Sequence, residues 1–261
     1  MKRVKILNAY IDNLSELEIL NQLRYGVIFT PNVDHLIKLQ NDLDFFKAYE
    51  SADYKLCDSK ILYYVSRFLG SPIKEKISGS DFFPAFYKYH KNNKDIKIFL
   101  LGGEKEVAIK AQDKINAKVG RKIIVGAYSP SFGFEKSEEE CLEIIEKIKS
   151  SGATVLAVGV GAPKQEKWIH KYKEHLPNIK IFLAVGATID FEAGNKKRAP
   201  KWMAELGIEW LHRLLSEPQR LWKRYLIDDP LFFWLVLKQK LKIYQFPLNK
   251  VDPSLHQVTD R

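Results

Sequence analysis

The amino-acid sequence predicts an α/β fold: a mostly parallel sheet with helices on its faces, followed by a helical appendage. Three observations carry that expectation. Short apolar runs alternate with helix-length amphipathic segments through the first 195 residues. The run at 154–158 stops at Gly159 and Gly161 and opens into a helix through Pro163-Lys164-Gln165-Glu166, the strand–glycine–helix order of a parallel unit. Beyond about residue 195 the strand-like runs cease, and cationic and aromatic side chains concentrate instead.

The elements follow in order. A first strand at 27–29 switches through Thr30-Pro31-Asn32 into a helical stretch at 36–49, with Pro31 fixing the turn. Tyr54 to Asp58 reads as a second strand, which delivers Asp58 to the start of a helix at 60–68. Ser80, followed by Asp81, can cap a helix running to Lys91. A strand at 96–101 closes on Gly102-Gly103 and precedes a helix at 107–119 and a strand at 122–125. Ser137 with Glu138, Glu139 and Glu140 opens a helix at 138–149, where acids in the first turn suit the helix dipole. The strand at 154–158, a helix at 165–175 and a strand at 179–185 complete the unit. The similar runs IKIFLLG and IKIFLAVG predict two buried strands in like environments.

In the appendage, Leu206, Trp210, Leu211, Leu214 and Leu215 keep helical spacing. Ser216 is predicted to cap a new helix, with Gln219 at the capping-box position. That helix would carry Leu221, Trp222, Tyr225 and Leu226 on one side and Arg220, Lys223 and Arg224 on the other. The apolar run 231–237 precedes Lys238, Lys240 and Lys242. It is too short to cross a bilayer, but it can lie in the interface or pack on the main domain. The expected organisation is an α/β core at 1–195, a basic tryptophan-rich appendage at 196–245 and a flexible tail at 246–261.

Composition narrows the function classes. The chain is 46% hydrophobic, enough to bury a core. Its two cysteines, Cys57 and Cys141, form no metal or disulfide pattern, and the basic N-terminus lacks an apolar signal core. Of the net charge of +10, residues 196–245 supply +6, together with four of the five tryptophans. Cations among aromatics suit nucleic acid, an anionic membrane surface or a solvated basic helix.

Chemistry is predicted where polar residues end strands. Thr30, Asn32 and Asp34 gather after the first strand, and Lys164 and Gln165 bring a cation and an amide to the end of another. Gly159 and Gly161 would let a phosphorylated ligand approach the backbone, and Gly102-Gly103 is a weaker loop of the same kind. Asp58 at a strand end is either a helix N-cap or a general base, and spacing alone does not choose between them. There is no Gly-x-Gly-x-x-Gly fingerprint, which a nicotinamide-dependent oxidoreductase needs, and no Walker lysine. Asp42 and Asp44 have the spacing of an acidic metal pair but read as solvated helix surface, and the histidines show no ligand spacing. No metal and no nucleic-acid partner are therefore expected.

These segments together resemble the WecG/TagA/CpsF family of bacterial glycosyltransferases. The likeness runs from Asn8 to Leu226 through Thr30-Pro-Asn-Val-Asp-His35, Asp58, Ser78-Gly-Ser-Asp81, Phe99-Leu-Leu-Gly-Gly103 and Gly159-Val-Gly-Ala-Pro-Lys-Gln-Glu-Lys-Trp168. It continues through Gly186-Ala-Thr-Ile-Asp-Phe191, Arg198-Ala-Pro-Lys-Trp202, Gly207-Ile-Glu-Trp-Leu211, Arg213, Glu217-Pro218 and Arg220. The resemblance implies a Rossmann-like fold and an inverting, metal-independent transfer from a UDP-sugar to a polyprenyl-diphosphate-linked sugar. N-acetylmannosamine and GlcNAc are the sugars it favours, with UDP-glucose or a uronic acid donor as alternatives. It implies a peripheral enzyme at the cytoplasmic face of the bacterial membrane, serving cell-surface polysaccharide or teichoic acid synthesis, with the appendage helping to complete the site. Self-association stays open. On this reading Asp58 is the general base, and Thr30, Asn32 and Gln165 orient the donor. Asp34, Ser80, Asp81, Lys164, Arg198 and the four glycines contribute to substrate binding, while Arg213, Arg220 and Arg224 meet the leaving diphosphate. Where the family usually has Pro-Asp-Gly, this chain has Cys57-Asp58-Ser59, which leaves the sugars themselves open.

Overall fold

The computed structural model describes residues 2–250, save the side chains of Lys201, Ala204, Glu205, Arg220, Asn249 and Lys250. Arg220 as a phosphate ligand, and most of the predicted tail, thus lie outside what is described. An antiparallel hairpin, β1 (Arg3–Ile6) and β2 (Ala9–Asp12), opens the chain. The main sheet contains β3 (Gly26–Phe29), β4 (Tyr54–Lys55), β5 (Ile98–Gly102), β6 (Ile124–Tyr128), β7 (Val155–Gly159) and β8 (Ile181–Ala184). Their spatial order is β4-β3-β8-β7-β5-β6, with every neighbouring pair parallel. Helices cover both faces, as the fold class predicts.

Side-chain alternation explains why this sheet is buried twice over. Leu156 and Val158 of β7 join one apolar core with Phe99, Leu101, Phe182 and Phe29. Val155 and Ala157 join the other with Ile98, Leu100, Ile181 and Leu183. Successive residues of a strand point to opposite faces, so an unbroken apolar run feeds two cores at once. The similar runs at 98–102 and 181–184 flank β7 and are both fully buried.

Local signals set most helix starts. Ser137 caps the helix Glu138–Ser150 by accepting from the Glu140 N–H at 3.2 Å. The stretch expected at 36–49 is two helices, Val33–Lys38 and Leu43–Glu50. Asp42 divides them as an N-cap that accepts from the Phe45 N–H at 3.0 Å, and it pairs with Lys167 at 2.7 Å. Ser78, not Ser80, caps the helix Gly79–Tyr89. Ser216 is no cap: it closes the helix Glu209–Ser216 and donates to the His212 carbonyl at 2.8 Å.

The C-terminal segment is of two kinds. Helices Lys201–Leu206, Glu209–Ser216 and Pro218–Lys223 leave Trp202, Leu206, Leu215 and Trp222 exposed. The last long helix, Asp229–Lys240, instead enters the core through Phe232 and Val236. Its Gln239 side chain accepts from the Leu7 N–H at 2.7 Å and donates to the Lys5 carbonyl at 3.1 Å, clasping the turn of the first hairpin. Phe246 and Leu248, which fall in the stretch predicted as tail, are buried, with Phe246 against Phe46 at 4.9 Å between ring centroids. The C-terminal stretch therefore finishes the core as well as extending from it.

Candidate active site

Two strand ends meet at the site. After β3, Asn32 caps the helix Val33–Lys38 by accepting from the His35 N–H at 3.1 Å, and its side chain lines a cleft. After β4, the Asp58 N–H donates to the Pro31 carbonyl at 3.0 Å, tying the two loops together. The helix Lys60–Phe68 is capped by Ser59, whose hydroxyl accepts from Ile61 and Leu62 at 3.1 and 3.4 Å. Ser59 thus takes the capping role, and Asp58 is left with its carboxylate in the cleft. Among the described side chains none hydrogen-bonds that carboxylate.

The cleft has a volume of about 210 Å³. Asp58, Lys60 and Lys76 line it from the sheet side, and Glu209, Trp210, Arg213, Arg224, Tyr225 and Phe233 line it from the C-terminal segment. Burial pushes the Asp58 carboxyl up to about 7, against the pull of Arg213 and Lys76 and with the push of Glu209 and Asp81. A carboxyl held there accepts a proton at neutral pH more readily than an exposed aspartate. The neighbouring Cys57 thiol is buried and pushed up to about 12, which keeps it protonated and inert.

The remaining predicted residues separate into groups. Asp34 is buried under the cleft; despite that burial, Arg224 at 3.6 Å and Lys38 at 2.6 Å hold its carboxyl below the usual range. Arg224 also faces Asp229 at 4.0 Å, and burial pushes the Asp229 carboxyl up to about 6. Ser80, Asp81 and Arg198 do meet: Arg198 donates to Ser80 at 3.2 Å and to the Asp81 carboxylate, which also pairs with Lys76 at 3.1 Å. Burial opposes its ionisation, but the bonds from Ser78 and Arg198 and the charge of Lys76 hold Asp81 at about 2. Thr30 is buried, with its Oγ1 packed towards Gly79.

Gln165 is buried with both ends of its amide engaged. It donates to Glu166 at 2.7 Å and accepts from the Gly186 N–H at 3.1 Å, so it braces the loop after β8. Lys164 turns away, to Glu135 at 3.2 Å and over the Phe132 ring.

The glycines divide as well. A Cβ on Gly102 would stand 2.4 Å from the Gly159 carbonyl oxygen, and one on Gly159 would stand 2.6 Å from that of Gly186. A Cβ on Gly103 would press on Val107 at 2.9 Å. Gly102 and Gly159 serve close backbone packing and Gly103 makes room for a side chain, whereas Gly161 borders open space at a φ of +83°.

Lys76, Glu209, Trp210, Tyr225, Asp229 and Phe233 are cleft residues beyond the predicted set. Glu209 and Trp210 lie within the Gly207-Ile-Glu-Trp-Leu211 motif, which is the available signal for them. Lys76 has no motif of its own. Among the described residues, no three His, Cys, Asp or Glu side chains group as a metal-binding set.

Comparison with known proteins gives the family. The model of the glycosyl transferase WecG/TagA/CpsF family matches residues 4–245. N-acetylglucosaminyldiphosphoundecaprenol N-acetyl-beta-D-mannosaminyltransferase of Bacillus subtilis (strain 168) is 30% identical over 234 residues, covering 90% of this chain and 87% of the relative. The protein of that name from Bacillus spizizenii (strain ATCC 23059 / NRRL B-14472 / W23) is 29% identical with the same coverage. With the match spanning both the sheet and the C-terminal helices that together enclose the cleft, this chain belongs to the WecG/TagA/CpsF family of glycosyltransferases.

Proposed function

We propose that this enzyme moves N-acetylmannosamine from a UDP-sugar to N-acetylglucosamine carried on a polyprenyl diphosphate, inverting the anomeric carbon without a metal ion. The observation that carries the reading is Asp58: a partly buried carboxyl, released from capping by Ser59, in a cleft lined with cations. Its carboxylate takes the proton of the acceptor hydroxyl as that oxygen bonds to the anomeric carbon. The bond to the diphosphate oxygen breaks on the opposite face, and UDP leaves with the electron pair. Arg213, Arg224 and Lys76 supply positive charge beside that leaving group, as forked guanidinium donors and a point charge. Asn32, with its oxygen committed to the cap, keeps its amide N–H groups for the donor. The sugars follow the names of the two relatives.

A lipid-borne acceptor suits the surface around the cleft. Phe233 and Pro230 line the cleft, while Trp234, Leu237 and Ile227 stand exposed on the same stretch, next to Lys238 and Lys242. Exposed apolar residues beside cations fit an anionic membrane surface, here assigned to the cytoplasmic face. No helix among the described residues is long and apolar enough to cross a membrane. Phe232 takes no part in this surface, because it is core.

The test is turnover of a short-chain lipid-diphosphate-GlcNAc acceptor with UDP-N-acetylmannosamine, UDP-glucose and a UDP-uronic acid, with and without EDTA. Asp58→Asn is expected to fold and bind UDP while losing about 10²–10⁴ in rate. Near-normal turnover by that variant removes Asp58 from the chemistry. Loss of wild-type activity in EDTA, restored by Mg²⁺, overturns metal independence.

A further inference from the structure

We infer that Glu209 is a positioning residue for the transfer: it grips the Arg213 guanidinium and so sets how strongly that cation acts on Asp58. The two residues lie one turn apart on the helix Glu209–Ser216. Both Nε, at 3.1 Å, and Nη2 of Arg213 donate to the same oxygen, Glu209 Oε1. Arg213, Glu209 and Asp58 all line one cleft. The planar guanidinium has fixed donor directions, so a partner that takes two N–H groups also fixes how the fork is aimed.

Consider the cleft without that grip. An unpaired Arg213 beside Asp58 would stabilise the carboxylate and, if free to turn, close on it as an ion pair. Either change makes Asp58 a weaker base. Glu209 opposes both, and its own negative charge further disfavours ionisation of Asp58, so the three effects share one sign.

Other charged groups face Asp58 from neighbouring elements. Lys76 pulls towards the carboxylate, but it is paired with Asp81 at 3.1 Å. Lys60 lines the cleft from the helix that follows Asp58, and Arg224 lines it while paired with Asp34 and Asp229. Asp81 has Ser78, Lys76 and Arg198 as further partners, so removing it would disturb several contacts. Among the described residues Glu209 has Arg213 as its one hydrogen-bonding partner, which makes it the cleaner probe.

The inference rests on the reading of Asp58 as the base, and its test separates the two. The pH dependence of kcat/KM is measured for the wild type, Glu209→Gln, Glu209→Asp and Asp58→Asn on a short-chain acceptor. In Glu209→Gln the acidic limb is expected to move down by about one pH unit, since an opposite charge nearby typically shifts a carboxyl by about that much or more. Glu209→Asp keeps the charge and should return the limb towards the wild type. If Glu209→Gln does not fold, Glu209→Ser removes the same charge and is read the same way. An unmoved limb in a folded, UDP-binding Gln or Ser variant, with Asp58→Asn inactive, overturns the role of Glu209 and leaves the base in place. An active Asp58→Asn overturns both.

Discussion

The carboxyl edge of the sheet holds two regions that the sequence marks in opposite ways. The glycine loops after β5 and β7 leave strands whose crossovers run in opposite directions, a usual place for ligand binding in such sheets. Yet Gly102 and Gly159 are there because backbone presses on backbone. The cleft under the C-terminal helices has, among the described residues, no glycine loop at a strand end; the one glycine that lines it, Gly207, belongs to those helices' own turn. It is assembled from residues near 32, 58, 76, 209–213 and 224–233, brought together by the pairing of two strand ends and the packing of the C-terminal helices over them. Glycine at a strand end reports close approach, and the neighbour that approaches is as often the protein as a ligand.

The contrast is sharpest at two adjacent residues. Phe232 is fully buried in the core, while Phe233 is 53% exposed and lines the cleft. Phe232→Ala should cost about 3–5 kcal/mol in urea unfolding, the range for a buried phenylalanine. Phe233→Ala should stay within about 0.5 kcal/mol of the wild type yet raise KM for a lipid acceptor. Equal stability losses would merge the two regions into one. The same logic forecasts that ending the chain after Asn195 fails to give a folded core, because Phe232, Val236, Phe246 and Leu248 go with it.

The glycines provide the next test. Gly102→Ala meets a carbonyl oxygen at 2.4 Å at a φ of +142°, whereas Gly161→Ala meets nothing at +83°. The first should lose roughly 3 kcal/mol, overpacking added to backbone strain, and the second about 1–2 kcal/mol from strain alone. A loss at Gly161 as large as that at Gly102 breaks the distinction.

A smaller effect tests the cleft by linkage. Burial raises Asp58 from an unfolded value of about 3.9 to about 7. Between those values the native state holds a proton that the unfolded chain has released. Stability therefore falls as pH rises through that window. Asp58→Asn should be more stable than the wild type at pH 8 and nearly equal to it at pH 4, while losing turnover. Thermal unfolding at the two pH values decides it, and an equal Tm difference at both would mean that Asp58 is not held up in the fold.

The smallest effect concerns the surface lysines. Lys240 donates to the Phe68 carbonyl at 2.7 Å, and Lys238 lies over the Trp234 ring. Lys238→Gln should weaken binding to anionic vesicles by about 1 kcal/mol, with no change in Tm. An unchanged partition at low salt would detach Lys238 from the membrane surface.

Several features were legible in the chain because their causes are local. Long apolar runs gave β5, β7 and β8, and Ser137 with its three glutamates gave a helix start where it was expected. The ordered short motifs carried the family. The first hairpin was not legible, since Arg3 to Ile6 reads as a charged terminus until Gln239 clasps its turn. Nor was the capping of the Asp58 helix: Ser59 follows Asp58 directly, both residue types cap helices, and only the backbone's path assigns the role to Ser59.

The sequence by itself determined the α/β class, the parallel strands and the presence of Asp58, Asn32 and Arg213, because periodicity and short motifs act over a few residues. Tertiary structure alone decided which of these share a cleft. It turned Gln165 and Lys164 to bracing contacts, placed Phe232 in the core and brought Lys76, Glu209 and Tyr225 to Asp58. The reason is physical: the carboxyl's proton affinity and the company it keeps depend on burial and on charges far away in the chain, and neither exists until the C-terminal helices pack against the sheet.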